Sequence, residues 1–148
     1  MIQESRIKVY DYIYDLLFGV VSDNVYPMNE SQELTESDVQ DGFIVIRVGT
    51  INDESEFHGE AFAWCRCFVQ AYVPTMSRGR LDEDKYSAFE DGINTAINNE
   101  ISNGKNLNYS IREEGVISWD DYTDSNSNNA FYMFVKSFIV QIDNLETI

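Results

Sequence analysis

Residues Glu60 to Val73 read EAFAWCRCFVQAYV, and they sort into two unlike sets at a period of two. Ala61, Ala63, Cys65, Cys67, Val69, Ala71 and Val73 form one set; Phe62, Trp64, Arg66, Phe68, Gln70 and Tyr72 form the other. Successive side chains of an extended strand point to opposite faces, so the alternation predicts one long strand with a small-residue face and a bulky amphipathic face. Small residues let a helix lie close against that side of a sheet. Aromatic residues mixed with Arg and Gln are less easily absorbed by the core of a single chain. Pro74 closes the strand.

Upstream, Gly42 to Gly49 reads GFIVIRVG, a β-branched run bounded by glycines and a second strand. Asn24 to Met28 offers a short strand that Pro27 confines to a sheet edge. Asn29 to Asp41 is polar and acidic and reads as a loop, and Asn52 to His58 as a polar turn. Between Arg6 and Phe18, Ile7, Tyr10, Tyr14 and Leu17 recur at helical spacing with Ile13 and Phe18 beside them, and Gly19 is a stop.

Downstream, Asp82 is an N-cap for a helix whose apolar stripe runs through Tyr86, Phe89, Ile93, Ala96, Ile97 and Ile101. Gly104 stands at the C′ position that usually closes such a helix. Strands follow at about Leu107 to Ser118 and Ala130 to Asp143, separated by a tip from Trp119 to Asn129 rich in Asp, Asn and Ser. The expected order is α-(β)-β-β-α-β-β. It predicts one α+β domain over residues 1–148: an antiparallel or mixed sheet of four to five strands with two helices on one face. The second face must then be covered by something else, and oligomerisation is the simplest remedy.

The chain carries 26 Asp and Glu against 10 Lys and Arg, a formal charge of −16, on a 43% hydrophobic composition. A disordered acidic tail lacks such a supply of core residues, so the acid belongs on the surface of a folded domain. A field of that sign repels phosphates, which excludes nucleic-acid grip as the main activity. The charge is uneven. Ten carboxylates lie between Ser22 and Glu60 against Arg47 alone, while Arg78 and Arg80 flank Gly79 with Lys85 close behind. That basic loop reads either as a contact across a subunit boundary, to a neighbouring copy's acidic segment between Glu30 and Asp41 or to acidic residues of an adjoining ring, or as a solvated connector.

No catalytic pattern competes. There is no phosphate-binding glycine loop, no nucleophile elbow, and a single histidine, His58, for any triad. Cys65 and Cys67 with one histidine cannot complete a zinc site without carboxylates, and they read as buried free thiols. Asp120, Asp121 and Asp124 could offer oxygens to calcium, but the spacing lacks the Gly and Glu of an EF-hand loop. A solvated tip is the plainer reading. No enzyme activity, cofactor or metal is therefore expected. No signal peptide or membrane-spanning run is visible either, so no membrane association is expected.

The amphipathic helix Ile7 to Phe18, the Pro-containing strand Val25-Tyr26-Pro27, the Phe-Ile-Val-Ile-Arg-Val strand, the Trp- and Phe-bearing strand, the Asp-capped helix and the final hairpin together resemble a known family. In size and order of elements the chain is similar to the tail completion, or tail terminator, proteins of tailed bacteriophages. The resemblance covers nearly the whole chain and rests on pattern, without a diagnostic motif. It departs from the family at the acidic segment Asn29 to Asp41 and at the Trp119 to Asn129 tip. It implies a structural subunit of a homo-oligomeric ring, a hexamer or larger, at the head–tail junction of a virion assembled in the bacterial cytoplasm. Its neighbours would be the head connector and tail tube, and DNA would pass without specific binding. The expected interface residues are Arg78 and Arg80 of the basic loop with Phe62, Trp64, Phe68 and Tyr72 of the long strand. The acid excess also suits another class, a DNA-mimic decoy that occupies a host DNA-binding protein.

Overall fold

The computed structural model describes residues 2–20, 22–27, 35–53, 63–76, 80–117, 122–124 and 131–142. The elements are α1 (Ile2–Leu17), β1 (Val25–Pro27), α2 (Glu36–Asp41), β2 (Phe43–Val48), β3 (Asn52–Asp53), β4 (Ala63–Pro74), α3 (Glu83–Asn103), β5 (Tyr109–Ile117), β6 (Tyr122–Asp124) and β7 (Phe131–Ile142). The main path of the sheet runs β1-β2-β4-β7-β5, with β3 appended to β4 and β6 to β7. Only β1 against β2 is parallel among these pairs; the others are antiparallel. This is the α+β domain with a mixed sheet that the element order predicts.

Register fixes which side chains share a face. Cys67 pairs with Val48 and Phe138, and Val69 with Ile46 and Lys136, so the small set of β4 lies on one side with these partners. That side is dry. Ala63, Cys65, Cys67, Val69, Ala71 and Val73 are all fully buried. They pack with Val9, Ile13 and Leu17 of α1 and with Phe89, Ile93 and Ile97 of α3 in one core. Methyl-sized side chains on the central strand let both helices approach, and the larger Ile44, Phe138 and Val140 of its neighbours fill the flanks.

Several sequence expectations need correction. The segment Asn29 to Asp41, read as a loop, contains α2, which Thr35 and Asp38 start with reciprocal side-chain caps. On α1 the buried residues are Val9, Tyr12, Ile13 and Leu17, while Ile7 and Phe18 are exposed. The stripe is rotated because α1 is apolar on more than one side. The aliphatic ridge fits the sheet, and Tyr10, Tyr14 and Phe18 run along the flank as an aromatic row with ring centroids 6.0 and 5.3 Å apart. Gly104 ends α3, but at φ −59° and ψ 133° it makes no left-handed turn. It is suited to the place because a Cβ there would meet the Glu100 carbonyl at 2.5 Å. Gly42, between α2 and β2, does need its freedom. Its φ is +80°, and a Cβ would sit 2.6 Å from the Tyr72 carbonyl oxygen and 2.8 Å from the Phe89 ring.

Candidate subunit interface

The second face of the sheet is built by the other parity of the same strands. Phe43 pairs with Tyr72, Val45 with Gln70 and Arg47 with Phe68. Arg66 pairs with Ile139, and Ile139 in turn with Arg112 on β5. Neither α1 nor α3 packs here, since their buried residues belong to the core on the opposite side. Trp64, Arg66, Phe68, Gln70 and Tyr72 are all half-buried, an intermediate state that repeats along the strand.

The face divides into two ends. At one, aromatic rings lock together. Phe43 stacks on Tyr72 at 4.5 Å and 8°, and Phe131 meets both edge-on at 5.5 and 6.3 Å. Tyr26 leans on Phe43 at 6.3 Å, and its hydroxyl donates a hydrogen bond to Asp38 of α2 at 2.7 Å. Burial, and then the bond to the Asp38 carboxylate, push the Tyr26 pKa up to about 12. Tyr72 is thus engaged inside its own subunit.

Toward the other end lie the arginines. The Arg47 guanidinium stands 5.8 Å from the centre of the Phe68 ring, and Arg66 Nη1 donates to Ser137 Oγ at 3.4 Å. With Arg112, three of the chain's ten cationic residues share one sheet face. Among sheet residues with described side chains, that face carries no carboxylate. Sequence reading placed Arg66 on the bulky face of its strand. It could not join Arg47 and Arg112 to it, because that depends on register between strands far apart in the chain.

The remaining expected interface residues are scattered. Phe62 and Arg78 lie outside the described residues, as do His58, Asp120 and Asp121. Arg80 is exposed, and its carbonyl accepts from the Met76 amide at 2.7 Å, closing the basic loop at its base. Lys85, just beyond, donates to the Gln40 carbonyl of α2 at 3.0 Å. The basic segment therefore already touches the acidic one within a single subunit.

Cys65 and Cys67 are free and buried, their sulfurs 3.8 Å apart, and burial pushes the Cys67 thiol well above its usual range. Among the described residues no cluster of three His, Cys, Asp or Glu could hold a metal ion, and no helix is long and apolar enough to cross a membrane. Compared with known proteins, the chain matches no family model and no curated protein.

Proposed function

We propose that the chain is a structural assembly subunit that forms a ring at the head–tail junction of a tailed bacteriophage, as a tail terminator or completion protein. The observation that carries this reading is the second face of the sheet. Half-buried Trp64 and Phe68 stand there with Arg47, Arg66 and Arg112, on a chain of net charge −16 whose two long helices occupy the other side. A two-layer domain with such a face is completed by another surface laid upon it. The element order supports the phage family, and the acid excess suits a channel that DNA crosses without being held. The Arg78–Arg80 loop belongs to the same reading as a second contact to a neighbour's carboxylates.

Electron microscopy of the purified protein tests the proposal. Closed rings with a central hole are expected, and imaging of the virion should place them between connector and tail tube. Finding the protein elsewhere in the particle refutes the assignment. Recovery of a nuclease or repressor in place of virion proteins, on pull-down from host lysate, gives the chain to the decoy class.

A further inference from the structure

We infer that the arginine-bearing sheet face of one copy receives the outer face of α3 from the next copy, so that subunits join head to tail. This rests on the chain being a self-assembling subunit and not on where in a virion it sits.

Charge and geometry select this occupant. On α3, Phe89, Ile93 and Ile97 point into the core, and the helical period sets Asp84 and Asp91 on the opposite side. Both are exposed. They are separated by seven residues, two turns, or roughly 10.5 Å along the axis. On the sheet, Arg66 and Arg112 flank β7 in one cross-strand row through Ile139, two strand spacings or roughly 9.5 Å apart. A helix crossing the strands can therefore bring both carboxylates to both guanidiniums at once. Between and beyond the aspartates the outer side of α3 carries Ser87, Ala88, Thr95 and Asn98, all small enough for close approach over Trp64 and Phe68. Arg47 stands one strand further out to catch a flanking carboxylate such as Glu83.

The two patches lie on opposite sides of the subunit, because α3 covers the other face of the same sheet. A contact between unlike patches on opposite sides is heterologous, and it propagates until the rotation closes a ring. Each sheet thereby gains helices on both faces. The net charge does not forbid the contact. At 0.15 M salt the Debye length is about 8 Å, so the local match of guanidinium to carboxylate outweighs the distant repulsion.

Paired charge reversals test the contact, read by sedimentation velocity and native mass spectrometry. Asp84→Lys with Asp91→Lys should weaken self-association at least tenfold while leaving the circular-dichroism spectrum unchanged and the unfolding cooperative. Arg66→Glu with Arg112→Glu should do the same, and mixing the two variants should restore assembly, because each then offers its neighbour an opposite charge. If the arginine variant does not fold, the exposed pair Arg47→Glu and Glu83→Lys replaces it, each weakening association alone and restoring it when the two are mixed. Normal assembly of the Asp84/Asp91 variant overturns the inference and leaves the ring reading intact, since sheet-to-sheet or loop contacts would then join the copies. A wild-type chain that stays monomeric at all concentrations overturns this contact, while the ring reading is decided by where the protein sits in the virion. Binding of an oligothymidylate by a monomeric wild type, lost on Arg66→Glu with Arg112→Glu, would instead assign the face to single-stranded nucleic acid.

Discussion

Tyr26 and Lys136 are two residues whose protonation the fold controls, and they act on stability in opposite senses. The Tyr26 hydroxyl donates a hydrogen bond to Asp38, a carboxylate with 0% exposure, and its pKa is raised to about 12. The folded state holds this proton more tightly than the unfolded chain, which releases it near 10. The resulting stabilisation is complete below pH 10 and is lost as pH rises through 12. Tyr26→Phe should cost about 1–3 kcal/mol at pH 7 by urea unfolding, because Asp38 loses a donor it cannot replace from water. The deficit should shrink between pH 10 and 12, and the variant should lack the late phase of tyrosine ionisation in the ultraviolet. An unchanged titration would show that the hydroxyl is solvated. Lys136 lies at 5% exposure on the core side and donates to Asn94 Oδ1 of α3. Burial lowers its pKa, opposed by the nearby Glu90 carboxylate. Here the unfolded chain binds the proton more tightly, so stability rises with pH between the lowered value and the ordinary one near 10.4. Lys136→Met should abolish that rise. The wild type should therefore gain on the variant across the alkaline range, and parallel stability curves would contradict the assignment.

At the scale of elements, α2 depends on its caps more than on packing. Six residues cannot hold a helix by propensity alone. Thr35 Oγ1 accepts from the Asp38 amide at 3.2 Å, and Asp38 Oδ2 accepts from the Thr35 amide at 2.9 Å. Thr35→Ala should cost about 1 kcal/mol, or roughly 3–5 °C in melting temperature for a chain of this size. Asp38→Ala should cost more, because it also strands Tyr26. Equal losses in the two variants would mean that α2 contributes only its cap. The same element shows where the sequence was hard to read. Thr35 and Asp38 stand three apart, as a capping box requires, but an acidic setting and a missing apolar period hid the helix. Strong periods survived the transfer to structure. That of β4 separates buried from half-buried residues along the described strand, and that of α3 finds the buried Phe89, Ile93 and Ile97 with the half-buried Tyr86, Ala96 and Ile101 beside them, because each element has one apolar face and one polar or bulky one. On α1 two apolar ridges compete, and the sequence does not say which of them meets the sheet. For the candidate site, parity along one strand was legible, while the row joining Arg66 to Arg112 was not, since it is set by the β4–β7 and β5–β7 registers.

For the whole molecule the governing quantity is the charge of −16, which affects folding and association with opposite signs of salt dependence. Self-repulsion among surface carboxylates destabilises the compact state and is relieved when ions screen it. Raising sodium chloride from about 0.01 M to about 0.15 M shortens the Debye length from about 30 Å to about 8 Å. The melting temperature of the dilute, monomeric chain should therefore rise over this interval. Contacts between Arg66, Arg112 and a neighbour's Asp84 and Asp91 respond differently. Long-range repulsion between subunits falls away in the same interval, so assembly first strengthens. Beyond it, the paired charges are themselves screened, and assembly should weaken again toward 1 M, where the Debye length is about 3 Å. A maximum in association at intermediate salt, alongside a melting temperature that keeps rising, is the expected pattern in sedimentation and calorimetry. Association that strengthens steadily to 1 M would point to the apolar residues of the sheet face as its source, with the arginines as bystanders. The Asp84→Lys, Asp91→Lys variant separates these cases again, because an apolar contact would keep its salt response in that background.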